Sequence, residues 1–306
     1  MNNRVYGVIG VGSYMANWNA DFTNHPKTLG NGLIFGSDKA LKYSIRNHMN
    51  QNGGKVMFFK SFKNVDGKLQ PNNIDERYKR IFGVTAGENA NTKEILYNLL
   101  QADDVINFGA TYAGDKQNIS VLGIVQIGQA FNKYEDTEIH TQDILSPFQD
   151  VTKGTAAAST LGTQVFTDEA HYVYPFSVNP KALNMYNEIL PEIKYETKHY
   201  EMFKNGALEG ATLLNTTSKM GCENEFAMFI KLKENSIIYL PPLDTYVKVG
   251  KEDKVVYNIE KITNLLKSIE NDIERAELFY NQEKIKIVGD AGIHYFKQDI
   301  ITKNQI

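Results

Sequence analysis

The sequence predicts an α+β protein: one domain over residues 1–306, built on a modified RRM/ferredoxin-like core with large insertions. Three observations predict it. The elements run strand, helix, strand, long excursion, strand, excursion, strand, helix, strand, which is the split βαβ order of that core with material inserted. At 42% hydrophobic over 306 residues, the chain can bury a substantial core. It also lacks repeats, linkers or a composition break that would divide it.

The elements follow in order. Val5-Tyr6-Gly7-Val8-Ile9-Gly10-Val11 reads as a buried strand, with glycine allowing close backbone approach. A polar loop runs from Asn17 to Gly36, and a helix follows, stopped by Asn52-Gly53-Gly54. Residues 55–60 read as a second strand. Residues 61–104 are polar and mixed, with a turn at Val65-Asp66-Gly67 and helices around 74–82 and 93–100, and are taken as an insertion rather than core. A short apolar run over 105–110 stops at Gly109, and 119–127 is a strand. Patterning is lost from 129 to 164, which holds Pro147 and the small-residue run from Gly154 to Gly162; so long an excursion usually has a function. Residues 171–178 form a strand bounded by Asn179-Pro180. Helical patterns cover 181–189 and 196–213, and strands 226–232 and 236–240. Ile259, Ile262, Leu266, Ile269 and Ile273 recur at helical spacing and predict an amphipathic helix over 258–280, before a last strand at 285–288.

Charge is unevenly spread. Residues 1–63 carry eight basic and two acidic side chains, so the rest of this −3 chain is strongly acidic. One anion-binding face on an acidic body fits that asymmetry. The helix after the polar loop supplies it. Lys39, Lys42 and Arg46 fall within about 60° of one another around its axis, beside an apolar stripe of Leu41, Ile45 and Met49 about 80° wide. Ser37 or Asp38 caps the start, and a capped, cationic helix N-terminus suits phosphate.

Other chemistries fit poorly. Gly10-Val11-Gly12 follows a strand, but Met15 stands where a dinucleotide fingerprint needs its third glycine. The six histidines are scattered without metal spacing and read as structural or surface residues. Gly-x-Ser-x-Gly is absent. Asp21, the acid of the polar loop, reads first as a turn-making residue. Cys222 is the single cysteine, so no internal disulfide forms; with no signal peptide or apolar run near 20 residues, a soluble, cytoplasmic protein without cofactor or metal is expected.

Asn17-Trp18-Asn19-Ala20-Asp21 with the helix start from Gly36 to Asn47 resembles the opening of the backbone subunit of type I CRISPR Cascade complexes, the type I-B branch in particular. Further blocks match in order: Asp104 to Ala110, Gly123-Ile124-Val125-Gln126-Ile127, His171 to Pro180, and Thr216-Thr217-Ser218-Lys219-Met220-Gly221. The resemblance places the chain in the RAMP superfamily and implies an RRM-like palm, a web (fingers) insertion at 61–104 and a thumb-like β-hairpin at 129–167. It implies that copies stack along a crRNA, beside a large subunit and crRNA-end-capping subunits, and present the spacer to target DNA. It assigns guide contacts to Asn17, Asn19, Ser37, Lys39, Lys42, Arg46, Gln126, Thr217, Ser218 and Lys219. Apolar residues on the thumb, Ile144, Leu145 and Phe148, are candidates to wedge between bases. The chain departs from the pattern at Trp18 and Ala20, for Pro and Gly, at Tyr43 for a base, and at Asn107 and Lys219 for Arg. Type III relatives cleave RNA through a first-loop acid, so the alternative is a metal-dependent endoribonuclease using Asp21 or Asp38.

Overall fold

The computed structural model describes residues 1–86, 91–114, 118–149 and 159–306, and the side chains of these except 146–149 and 159–161. β1 (Val5–Ala16) leads through a loop holding β2 (Phe35–Gly36) into α1 (Asp38–Gln51). A hairpin of β3 (Phe62–Val65) and β4 (Lys68–Pro71) precedes α2 (Ile74–Phe82), α3 (Thr92–Leu100) and α4 (Asp103–Phe108). Next come β5 (Gly109–Ala113), β6 (Asn118–Leu122), β7 (Val125–Ile127) and β8 (Ala130–Asn132), then the long pair β9 (Ile139–Gln149) and β10 (Ser159–Val178). α5 (Thr197–Leu213) and β11 (Cys222–Leu232) follow. The C-terminal part adds β12 (Lys248–Lys251), β13 (Val255–Asn258), α6 (Glu260–Lys267), β14 (Ile273–Tyr280), β15 (Ile285–Val288) and β16 (Phe296–Asp299).

Four strands in the antiparallel order β11-β1-β10-β7, with α1 and α5 as the two crossovers, give the expected RRM/ferredoxin-like core. β14 and β16 extend the sheet beyond β11, while β8 and β9 pair with β10 and β2 pairs with β8. β1 is covered on both faces. Val5, Ile9 and Val11 join the core beneath α1 and α5, whereas Tyr6 and Val8 join a second core with Met228, Tyr257 and Leu266. A strand with no wet face reads as a continuous apolar run. It extends past the expected 5–11 because its ladder to β10 continues as far as Ala16 opposite Thr167.

Ser37 caps α1, accepting from the Ala40 N–H at 3.3 Å, and the Leu41, Ile45, Met49 stripe is buried as its spacing predicts. α5 crosses this helix closely. A Cβ on Gly206 would lie 2.7 Å from Ile45 Cγ2, and one on Gly210 would lie 2.9 Å from the Ser44 carbonyl carbon. Only a residue without Cβ permits that approach.

Five expectations change. Residues 55–60 form no strand, because the Met57 and Phe58 N–H groups donate to the two Asp104 carboxylate oxygens at 2.7 and 2.9 Å instead of to a ladder. The strand expected over 119–127 breaks at Gly123, because β6 pairs with β5 and β7 with β10; the short apolar run before it falls mostly in α4. Residues 181–189 make a 3₁₀ helix, Pro180–Tyr186. Residues 236–240 form no strand; Arg4 donates to the Ser236 carbonyl and stacks 4.1 Å from the Tyr239 ring centroid. The isoleucine spacing over 258–280 spans two elements: α6 ends at Lys267, and Ile273 opens β14. Within 61–104, the β3–β4 hairpin is exposed at its Asp66-Gly67 turn, but Tyr78, Ile95 and Leu99 enter the main core. Most of the 154–162 run lies outside the described residues. No helix among the described residues is long and apolar enough to cross a membrane.

Overpacking the helix crossing gives the first prediction. Gly210→Val should destabilise the fold by about 1–3 kcal/mol, read as a lower midpoint in urea, while Gly30→Ala, in open space, should leave the midpoint in place.

Candidate nucleic-acid interface

At the end of β1 the chain turns away from the sheet, and Asn17 sits where three segments meet. Its backbone N–H donates to the Ser218 carbonyl at 2.9 Å. Its side-chain amide donates to Asn24 O at 2.9 Å and to Val165 O, at the root of the β9–β10 hairpin, at 3.2 Å. Lys219 Nζ returns to the Asn17 carbonyl. Nearby, Thr167 Oγ1 donates to Ala16 O at 3.0 Å, and the Tyr14 N–H to Gly221 O at 2.9 Å. The loop, the 216–221 turn and the hairpin root are thus fixed to one strand end. The Asn17 side-chain oxygen is buried with no partner among the described residues, a cost that functional sites more often carry than plain scaffolds.

Trp18, which stands in the place of a family proline, is buried; its indole N–H donates to Tyr174 Oη at 2.5 Å and pins the loop to the core. Asn19 then joins the loop to α1: its side-chain oxygen accepts from Ser37 Oγ at 3.0 Å, and its amide donates to Phe35 O at 3.3 Å. Asp21 makes the expected turn. One oxygen accepts from the Thr23 hydroxyl and N–H, both at 2.8 Å, and from His25 N–H at 3.0 Å. The Thr23 hydroxyl, with those amides, holds the Asp21 carboxyl below its ordinary pKa.

The basic stripe of α1 divides. Arg46 Nε lies 3.1 Å from the wholly buried Asp104 carboxylate. Lys42, itself mostly buried, lies 3.0 Å from Asp38. Asp38 also accepts from Gln129, a residue that the sequence reading passed over. Burial alone would raise the Asp38 carboxyl, but the Lys42 and Gln129 bonds bring it below the usual range. Lys39, at 87% side-chain exposure and 3.8 Å from Asp38, is the stripe's solvent-facing cation.

Thr217 and Ser218 are exposed beside Asn17, and Lys219 is largely buried, which lowers its amine's pKa. Ile144 and Leu145 are exposed on β9; the side chain of Phe148 lies outside the described residues. Gln126 is not drawn into this group. It pairs with Ser177, ten residues along β10 from Thr167, roughly 30 Å away at strand rise, and donates to Gly123 O. Asn107, in an arginine position of the family, is buried and joins Asp103, His199 and Tyr195.

Under the hairpin root lies a charged cluster invisible in the sequence. His171 is fully buried between Glu225, at 2.8 Å from Nδ1, and Glu169, at 3.2 Å from Nε2. Tyr257 donates to Glu225 at 2.5 Å, Tyr14 reaches the same carboxylate at 3.3 Å, and Lys251 pairs with Glu169. Burial would lower the imidazole pKa, but Glu225 and Glu169 outweigh it and keep His171 protonated above the ordinary range. Strands β1, β10, β11, β12 and β13 are tied together here.

The chain matches the family described as CRISPR-associated protein Cas7 over residues 3–270, and it belongs to that family. Among solved structures it is similar to a chain of a "CRISPR RNA-guided surveillance complex, pre-nicking", with a TM-score of 0.55 at 13% identity, covering 97% of each chain. It is also similar to a chain of a "CRISPR RNA-guided surveillance complex", with a TM-score of 0.52 at 12% identity, covering 99% of this chain and 93% of that one. At such identities the likeness is one of fold. No curated protein sequence matches.

Two predictions follow from the charge pairs. Arg46→Ala strands a buried carboxylate and should cost about 3–5 kcal/mol, whereas Lys39→Ala should change stability by less than about 0.5 kcal/mol; chemical denaturation separates them. Because His171 gains affinity for its proton on folding, its stabilisation is full below the ordinary imidazole range and is lost as pH rises through the higher folded value. The thermal midpoint should therefore fall on going from about pH 6 to about pH 9, and His171→Gln should give a lower and flatter profile.

Proposed function

We propose that this chain is a non-catalytic backbone subunit of a Cascade-type interference complex. Copies assemble along a crRNA, hold its phosphate backbone and leave the spacer free to pair with target DNA. A large subunit and crRNA-end-capping subunits complete the assembly. Family membership sets this class. The observation that carries the assignment in this chain is the convergence of the polar loop, the 216–221 turn and the hairpin root on Asn17.

Within this reading, Lys39, Thr217 and Ser218 contact the guide backbone. Asn17, Asn19, Ser37 and Lys219 form the wall that positions them. Lys42 holds the start of α1 through Asp38 and Arg46 ties its middle to α4 through Asp104, and Gln126 contacts a different stretch of guide. Residues 61–104 serve as the web and 129–167 as the thumb, whose Ile144, Leu145 and Phe148 wedge between bases. Asp38 is clasped through both carboxylate oxygens by Lys42 and Gln129, which favours this reading over a metal-dependent endoribonuclease acting through Asp38, whose ion needs free carboxylate oxygens; Asp21 is held through one oxygen only, and the cleavage assay decides its case.

The chain, purified with its partner subunits, should carry RNA of one guide length. Lys39→Glu should release that RNA at lower salt, by loss of a phosphate contact per copy. Complementary labelled RNA with Mg²⁺ should remain intact; regularly spaced cuts that vanish in Asp21→Ala would establish the nuclease instead.

A further inference from the structure

The amide of Gln129 closes a two-bond clasp on the first residue of α1. Its Nε2 donates to Asp38 Oδ1 at 2.9 Å, and its Oε1 accepts from the Asp38 backbone N–H at 3.3 Å. Turning the amide over would set its oxygen against the carboxylate, so the two bonds fix one orientation. The other carboxylate oxygen, Oδ2, accepts from Lys42 Nζ at 3.0 Å. The Asp38 side chain, 16% exposed, is thus held at both oxygens.

The clasp joins residues 91 positions apart in the sequence, and strand pairing brings its ends together. The Gly128 N–H donates to Pro175 O at 2.8 Å, and Ala130 pairs with Gly36, the residue before the Ser37 cap. Gln129 lies between these two fixed residues. Its side chain therefore starts from a backbone that β10 and β2 already position at the mouth of α1.

Asp38 Oδ1 lies between two donors. Gln129 Nε2 holds it at 2.9 Å, and Lys39 Nζ stands 3.8 Å from the same atom. A charge-assisted contact closes to about 2.8 Å, so Lys39 is near the carboxylate but not bonded to it. With Gln129 in place, closing that gap gains little, because an exposed ion pair barely offsets the ordering of its long side chain. Without Gln129, a mostly buried carboxylate oxygen loses its partner, which is costly, and Lys39 is the cation beside it. The ammonium would then be drawn onto Asp38 and lost to an external anion. Two main-chain donors of the helix start are already occupied: the Asp38 N–H by Gln129 and the Ala40 N–H by Ser37.

Resting on the reading given under Proposed function, we infer that Gln129 is a positioning residue: by occupying Asp38 Oδ1 it keeps the Lys39 ammonium free for a phosphate of the guide. It acts through Lys39 and not by touching RNA.

A double-mutant cycle on the assembled, guide-loaded complex tests it, with the salt concentration that releases RNA as the readout. Gln129→Ala should release RNA at lower salt, by nearly the shift that Lys39→Ala gives. It should also flatten the dependence of log affinity on log salt by about 0.7 per copy, the share of one phosphate contact on a single strand. In the Lys39→Ala background, Gln129→Ala should add nothing. Gln129→Met keeps the stem and removes the amide; it should match Gln129→Ala and, because residue 129 is exposed, keep the wild-type thermal midpoint, so it carries the test if the alanine variant fails to fold. Additive shifts overturn the inference, since Gln129 would then act independently of Lys39. So does unchanged release in Gln129→Met where Lys39→Ala shifts it; the guide-binding reading stands in both cases. Unchanged release in Lys39→Ala removes the Lys39 contact from that reading, and this inference falls with it.

Discussion

Everything in this molecule refers to β1. It is laddered on both edges, to β10 and β11, and buried on both faces, so it has no freedom to slide or tilt. Its end is consequently a fixed point. Asn17 uses that point to hold the loop, the 216–221 turn and the hairpin root with three hydrogen bonds. The segments come from positions about 50 to 200 residues apart in the sequence, and only the rigidity of the strand lets one side chain register them. The buried cluster around His171 reinforces the arrangement from below, tying five strands where the hairpin leaves the sheet. A projecting hairpin has leverage on its root, and a paired, hydrogen-bonded buried charge network resists that leverage in a way apolar packing alone does not specify.

Much of the basic character that marks the N-terminal segment is spent inward. Arg46 neutralises a carboxylate that itself satisfies two backbone N–H groups, and Lys42 neutralises an acid clasped by Gln129. Removing such a charge breaks the fold before it weakens a ligand contact. The surface left for an anion is narrower than the helical wheel suggests: Lys39, hydroxyls of the 216–221 turn, and loop amides. Under the proposed function, such a surface would hold a phosphate backbone by modest contacts repeated in every copy, which suits a guide whose sequence varies.

The fold class was legible from element order, and α1 with its cap and apolar stripe was legible in detail, because helix signals are local. The strand expected at 55–60 failed because a buried carboxylate satisfied its N–H groups from outside any ladder. The helix expected over 258–280 failed because isoleucines of α6 and β14 happen to continue one 3.6-residue spacing across a turn. The polar loop stood out as the mouth of the basic helix, whereas the 216–221 turn was found only through resemblance to a family. Their meeting at Asn17 depends on pairings between distant segments, which no periodicity encodes. Gln129 and the Glu169 and Glu225 partners of His171 were missed for the same reason: each has a meaning set by its tertiary neighbours, and its own type and spacing are ordinary.

The hub makes a spatial claim about where nucleic acid lies. The guide should run across the β1 end, past Asn17 and the 216–221 turn, with the β9–β10 hairpin crossing over it. A cryo-EM map of the assembled, guide-loaded complex measures this directly. The account predicts ribose-phosphate density beside Lys39, Thr217 and Ser218 in each copy. Continuous guide density along the opposite end of the sheet, beside Gln126 and Ser177, with none at the β1 end, would contradict it.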